Sequence, residues 1–470
     1  MSVSTALVAL AAAAPEAGAL RLGDRRWSRA ELVADVSFAA GWLSARLGTT
    51  TSTATGGQPR VAVCLADPAD QLIWALAADR IGITAALLDV RWPLGQLAQA
   101  LDQVAPDLLV DHRPPRDARE TAATGTELAG DYPEGDWISL TSGTSGAPRA
   151  LLRSRASWTA SFPAFSRLTG VRAGDTVLVP GTLCSSMFAF AAFHALSVGA
   201  SVRLLPRWRP ILADAAAITV AHLVPTMLAD LLEDPRVCGV RPRVAILAGA
   251  TLAAELHARA CTGWPETLLV EYYGSSEQSF VTARAGGAPG TVGRPFPGTQ
   301  MQIRDEAGHP VRPGAPGVIW TRSRYAAKGY ADGAPGPFQQ VAGWVSVGDR
   351  GRVDSSGVLT LLGRDQITTG GTTVDPAAIE AVLRGAEGVR EVVVLGMAHS
   401  RLGEVVAAVV ECRSGCSLSS LRRYAREHLA SGHRPRRWYA VEQLPRTGGG
   451  KPARADVRAA VEEGRMLPLS

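Results

Sequence analysis

Ser139-Leu-Thr-Ser-Gly-Thr-Ser-Gly-Ala-Pro-Arg149 continues an apolar strand-like run, Trp137-Ile-Ser-Leu140, and interleaves two glycines with hydroxyl side chains. A loop of this composition can turn several backbone N–H groups, and the hydroxyls of Thr141, Ser142, Thr144 and Ser145, toward one anion. Arg149 adds positive charge at its far end. It is not the Gly-x4-Gly-Lys-Ser/Thr phosphate loop, because no Lys-Ser/Thr follows. Composition alone favours a solvated Ser/Gly linker. What lies on either side overturns that.

Upstream, residues 31–47 repeat apolar side chains at three and four, the helical period, and 60–65 form a short apolar strand. Residues 67–81 read as a helix with Asp67 as its cap and Pro68 at its first position. Strands follow at 83–88 and 108–110, then a Pro-, Gly-, Thr- and charge-rich surface connection at 111–135. Downstream, strands at 176–179, 201–205, 220–223, 244–247 and 268–271 alternate with helices at 188–198, 225–232 and 253–260. Alternation of this kind predicts an α/β fold with parallel, doubly wound sheet. From 290 to 363, turns such as Asp305-Glu-Ala-Gly308 and Asp354-Ser-Ser-Gly357 separate short β-rich runs, which predicts antiparallel sheet or barrel. The remainder, with helices at 376–383 and 417–429 and strands at 389–396 and 405–411, reads as a compact α+β module.

The chain has 470 residues, enough for one large and one smaller domain. With 46% hydrophobic and 19% charged residues it is globular in composition, which excludes disorder. A formal charge of +5 is weak over this length, and the arginines are scattered apart from Arg434, Arg436 and Arg437, so neither nucleic acid nor an anionic membrane is an expected partner. The six cysteines form no CxxC pair and no zinc-type spacing, so buried free thiols in a reducing cytoplasm are expected. No basic region precedes the N-terminal apolar stretch, and no run is long enough for a membrane helix. Lys328 and Lys451 are the only lysines. High-GC codon bias accounts for the general scarcity.

Further motifs occur in a fixed order: Tyr273-Gly-Ser-Ser-Glu277, Gly343-Trp-Val-Ser-Val-Gly-Asp349, Gly363-Arg364, Gly370-Gly-Thr-Thr-Val-Asp-Pro-Ala-Ala-Ile-Glu380 and Leu444-Pro-Arg-Thr-Gly-Gly-Gly-Lys451. Together with the loop they resemble the adenylate-forming superfamily of acyl-CoA synthetases, nonribosomal adenylation domains and luciferases. The resemblance covers roughly residues 20 to 460. It implies a large N-terminal AMP-binding domain, residues 1–364, made of doubly wound sheets and a β-barrel-like subdomain. A small mobile α+β domain, residues 365–470, follows.

The resemblance also implies chemistry. A carboxylic acid is activated by ATP as an acyl adenylate with loss of pyrophosphate, then passed to CoA. Charge builds on the phosphates, so fixed donors and cations should face them. Thr141, Ser142, Gly143, Thr144, Ser145, Gly146 and Arg149 are implied to hold the β- and γ-phosphates. Glu277 is the implied Mg²⁺ ligand. Gly249, Ala250, Tyr272, Tyr273, Gly274 and Ser276 fall at the nucleotide. Tyr273 would stack on adenine, Asp349 would accept from the ribose hydroxyls, and Arg364 would bind ribose or phosphate. Lys451 is implied to bridge the carboxylate and the α-phosphate, where an ammonium neutralises two anions that must approach. Glu277, Arg364 and Lys451 are thus the catalytic set.

Asp365 is the implied hinge of the small domain, whose rotation brings Gly370 and Gly371 to the acceptor tunnel. Leu183, His222, Ala248, Gly249, Gly274 and Ser279 are the implied acyl-pocket residues, with Tyr272 beside them. The chain departs from the family at several places, among them Ser145 and Ala150 in the loop and Val347 before Gly348-Asp349. Arg149 replaces the loop's usual lysine, the segment from Arg364 to Gly371 is about two residues short, and Leu183 stands near where a His or aromatic residue often gates the pocket. No aspartate stands where amino-acid-activating relatives hold an ammonium, so a simple carboxylic acid is expected, aryl in preference to aliphatic. A separate acyl carrier protein, an amine or another small nucleophile is the alternative acceptor. A catalytically inactive nucleotide-binding partner protein is the alternative of another class, opposed by Glu277, Asp349, Arg364 and Lys451.

Overall fold

The computed structural model describes residues 2–47, 57–114, 135–142, 148–210, 217–234, 241–249, 252, 254–287, 290–305, 307–362, 367–374, 376–412, 416–445 and 454–469. Four strands, Arg60–Val63, Thr84–Leu87, Val220–Leu223 and Val244–Leu247, are buried at every position. Unbroken apolar strands of this kind belong in parallel sheets covered on both faces. They fall into two sheets. One orders Gly329–Tyr330, Pro148–Ser154, Asp136–Ser142, Thr84–Leu87, Arg60–Val63 and Leu108–Val110, and its last four strands are parallel. The other has nine strands. Its central run is parallel, from Leu268–Ser275 through Val244–Leu247, Val220–Leu223, Thr176–Val179 and Ser201–Leu204 to Gly18–Leu22.

The helix Pro68–Arg80 is buried from Ala69 to Asp79, as a helix wedged between layers must be. Asp67 caps it as expected, accepting from the N–H groups of Ala69 (2.8 Å) and Asp70 (3.2 Å), and Pro68 opens it. Leu72, Leu76, Phe165, Phe190 and Phe193 join this helix to one continuous core.

The described residues of 300–362, apart from Gly329–Tyr330, supply the antiparallel part, a six-stranded sheet built on Gly317–Arg322, which pairs with three neighbours. The C-terminal unit is a five-stranded sheet with the helices Pro376–Leu383, Leu418–His428 and Arg454–Glu462. Its long hairpin Val389–His399/Gly403–Cys412 alternates faces. Val392, Val394 and Val406 pack to one side, and Val393, Leu395 and Val405 to the other. That period of two is why one hairpin carries two cores. The expected boundary at 364/365 lies outside the described residues. No helix among the described residues is long and apolar enough to cross a membrane.

Candidate active site

A cleft of about 800 Å³ opens where the parallel strands end at their carboxyl sides. Ala248 and Gly249 follow Val244–Leu247, Tyr272 to Ser275 end Leu268–Ser275, and Thr182, Cys184, Ser185 and Ser186 follow Thr176–Val179. Ligands of open α/β sheets bind at this edge. The antiparallel sheet adds Val347, Asp349, Leu361 and Leu362, and the small domain adds Thr368, Gly371, Thr372, Gly403 and Glu404.

The strand Leu268–Ser275 runs four residues beyond its sequence reading. It bulges between Tyr273 and Gly274 and returns as the antiparallel strand Ser279–Ala285. Gly274 is required there, since a Cβ would stand 1.8 Å from the Ser279 carbonyl oxygen. Ser279 itself holds φ 58°, the left-handed region. Between them the turn carries Glu277, which is buried. The Tyr330 hydroxyl reaches Glu277 Oε1 at 3.4 Å, and the Arg149 guanidinium lies 5.0 Å from the Tyr330 ring centre. Burial, and then the neighbouring Glu277 carboxylate, push the Tyr330 hydroxyl up to about 12, so it stays protonated.

The Tyr273 hydroxyl donates to Asp349 Oδ2 at 2.5 Å. Asp349 is buried, and its carbonyl accepts from Ile319 N (2.8 Å), which fixes it to the antiparallel sheet. Gly249 (φ 83°) and Gly371 (φ 83°) approach each other closely: a Cβ on Gly249 would lie 3.5 Å from the Gly371 carbonyl oxygen. A Cβ on Gly371 would meet Val224 Cγ1 at 2.8 Å. Gly370 precedes it, also at positive φ.

The inner wall is aromatic. Trp158, Phe190, Tyr272 and Phe280 line it with Met187. Behind them Phe165, His194, His222 and Phe296 close the floor, with Phe280 stacked on Phe296 at 4.6 Å and Phe165 edge-on to Phe190 at 5.1 Å. Burial raises the Tyr272 hydroxyl above its usual value and drives the Cys184 thiol up to about 12.

Of the residues singled out in the sequence, the fold gathers Arg149, Ala248, Gly249, Tyr272, Tyr273, Gly274, Ser276, Glu277, Ser279, Asp349 and Gly371 on this one cleft. Leu183 and His222 do not line it. Both are fully buried, and His222 stacks on Phe165 at 6.0 Å, one layer below the wall. Neither His222 nitrogen has a partner among the described residues. Burial, with His194 nearby, brings its pKa down to about 3, so the ring is neutral. Gly143, Thr144, Ser145, Gly146, Ala250, Arg364, Asp365 and Lys451 lie outside the described residues. Thr141 and Ser142 end the strand Asp136–Ser142, in register with Arg149 and Pro148.

Arg153, Trp158, Phe190 and Phe280 belong to none of the motifs, yet they also lie at the cleft. Arg153 carried a signal, since it is a lone charge closing the apolar run Ala150-Leu-Leu152. The aromatics carried none, because an isolated Phe or Trp reads as core. No group of three or more His, Cys, Asp or Glu able to hold a metal occurs among the described residues. The single carboxylate of Glu277 fits Mg²⁺, which keeps most of its waters and takes one or two carboxylates beside substrate phosphates.

The AMP-binding enzyme family matches residues 136–331, and the AMP-binding enzyme C-terminal domain matches 378–451. An uncharacterized acyl–CoA ligase of Bacillus subtilis is 31% identical over 432 residues, 86% of this chain and 88% of that protein. A probable 2-succinylbenzoate–CoA ligase of Mycobacterium tuberculosis is 33% identical over 341 residues, 68% of this chain and 82% of that protein. Among solved structures, the amide bond synthetase of Marinactinospora thermotolerans superposes with a TM-score of 0.82 at 24% identity, covering 98% of this chain and 99% of that one, a likeness of fold.

Proposed function

The chain belongs to the AMP-binding enzyme family, and from that premise we propose that it activates a carboxylic acid with ATP, releases pyrophosphate, and passes the acyl group from the acyl adenylate to CoA. The observation that carries this reading is the meeting, on one cleft, of Glu277, the Tyr273–Asp349 pair and the Gly249–Gly371 approach, from three separate parts of the chain.

Each residue then has work that its surroundings suit. Asp349 accepts from the ribose hydroxyls, exchanging the hydrogen bond that Tyr273 now makes to it. Arg149, at the strand start facing Thr141, adds charge beside the β- and γ-phosphates. Glu277 is the residue that would hold Mg²⁺, and the ion would supply charge neutralisation at the phosphates. Ser276 and Gly274, flanking Ser275 on the same cleft, fall at the nucleotide. Lys451 neutralises the carboxylate and the α-phosphate as they approach, and Arg364 binds the ribose or phosphate edge. The small domain, residues 365–470 with Asp365 as hinge, presents Lys451 for the first step and Gly370-Gly371 for the second.

The acid is a simple carboxylic acid with a short, flat acyl group. Trp158, Phe190, Tyr272 and Phe280 favour an aryl ring, packed as they are against Phe165 and Phe296. The test is acid-dependent pyrophosphate release across aryl, short-chain and long-chain acids, with and without CoA. Release and acyl-CoA formation with aryl acids are expected. Release without acyl-CoA would move the acceptor to a carrier protein or an amine. No release with any acid would sink the reading.

A further inference from the structure

Among the described residues Arg153 is the largest side chain with essentially no exposure, and it lies at the margin of the cleft, beneath its surface. Its Nη1 donates to the hydroxyls of Ser279 (2.9 Å) and Ser157 (3.2 Å), and its Nη2 donates to the carbonyl of Ser276 (2.5 Å). The guanidinium carbon lies 4.9 Å from the Trp158 ring centre, and Nε has no hydrogen-bond partner among the described residues. It forms no ion pair among the described residues. Arg155, two residues on, shows how this fold otherwise buries an arginine. It pairs with Asp79 at 3.1 Å and donates to the carbonyls of Ala78, Asp79 and Ile83. A buried cation without a contacting anion is costly, and a leucine or methionine would fill the same space without that cost. What neither could provide is a fork that reaches both Ser276 and Ser279.

Those two residues bracket Glu277. Ser279 sits in the left-handed region, and its hydroxyl is held twice, accepting from Arg153 and donating to the Tyr325 carbonyl (2.8 Å). The Ser276 hydroxyl meets that of Ser186 at 2.8 Å, at the start of the helix Ser186–Ser197. The turn is short and strained, and among the described residues Arg153 is the one cation that binds both its ends. We propose that Arg153 is a positioning residue for the reaction: its guanidinium clamps residues 276–279, so that Ser276 and Glu277 face the cleft in a fixed arrangement. The inference rests on the role given to Glu277 above. Burial takes the guanidinium down to about 9, and among the described residues Glu277 is the acid that opposes this. The clamp therefore also places the cation near the carboxylate it is positioning.

Two measurements separate this inference from the proposed function. The first is hydrogen exchange over the peptide spanning 275–280 in ligand-free protein, which needs no activity. Arg153→Gln should speed exchange there by about tenfold, while Leu43→Ala, a core deletion away from the cleft, leaves that peptide at the wild-type rate. The second is kinetic. With an acid that the wild type accepts, Arg153→Gln should lower kcat for pyrophosphate release by about 100-fold with KM for ATP and acid within about threefold. Arg153→Lys, which keeps the charge but loses the fork, should recover only a small part. Ser279→Ala, losing one end of the clamp, should fall between. Unchanged exchange at 275–280 overturns the clamp whether or not the enzyme is active. Changed exchange with kcat within twofold of wild type leaves the turn clamped but overturns Arg153 as a positioning residue for the reaction. A kcat loss that Leu43→Ala reproduces at equal loss of Tm overturns it as well.

Discussion

Tyr273 and Asp349 are 76 positions apart, yet one hydrogen bond joins them on the cleft. Neither local sequence predicts that contact. Asp349→Ala should weaken binding of a non-hydrolysable ATP analogue roughly tenfold or more, since a charge-assisted hydrogen bond to ribose is lost. Calorimetry checks it, and unchanged affinity would remove Asp349 from the nucleotide site. His222, expected in the acyl pocket, lies a layer below the wall, because strand alternation from Val220 sends it into the aromatic core against Phe165. Its pKa of about 3, and that of His194, lie well below the free value. The unfolded chain therefore binds protons that the native state refuses as pH falls from about 6.5. Stability present above that pH is lost on the way down, at about 1.4 kcal/mol per pH unit for each ring. Thermal melts between pH 7.5 and 4.5 should show the fall, and His222→Leu should flatten it by one ring's share. An unchanged slope in that variant would contradict the assignment.

At the scale of elements, legibility followed burial. Leu108–Val110, Thr176–Val179, Val220–Leu223 and Val244–Leu247 match their sequence readings residue for residue. All but the short edge strand Leu108–Val110 are almost wholly buried, so their apolar runs have only one interpretation. Leu268–Ser275 did not match. Its second half is polar and held by pairing with Ser279–Ala285, a partner the local pattern cannot announce. That hairpin depends on Gly274 more than on any propensity. Gly274→Ala would push a methyl to 1.8 Å from a backbone oxygen that no rotamer can move away. The variant should lose about 3 kcal/mol or more in chemical denaturation, together with its activity. Wild-type stability would mean that the bulge relaxes freely, and the turn would then be no fixed platform for Glu277.

At the scale of the whole molecule, the small domain meets the large one through a few contacts that the sequence does not connect. Among the described residues, Gly371 approaches Val224 and the Arg401 guanidinium pairs with Asp230. Asp230 also accepts from Trp208 Nε1 at 2.7 Å, so its carboxylate is already fixed when Arg401 arrives. In this arrangement Gly371, Thr368 and Glu404 stand on the cleft, which suits the second step of the proposed reaction. The ion pair should therefore favour acyl transfer over adenylation. Asp230 is only slightly exposed, but Arg401 is half exposed, so the pair is worth about 1 kcal/mol or less. Arg401→Glu should accordingly slow thioester formation from a supplied acyl adenylate by about five- to tenfold, because like charges now face each other. Pyrophosphate release in the first step should stay within about twofold. Asp230→Arg combined with Arg401→Glu should restore the second step. Lys451→Ala should give the opposite pattern, with adenylation lost and thioester formation from the supplied adenylate largely kept. Equal loss of both steps in Arg401→Glu, or no rescue by the double reversal, would show that this contact does not select the arrangement in which the acyl group is transferred.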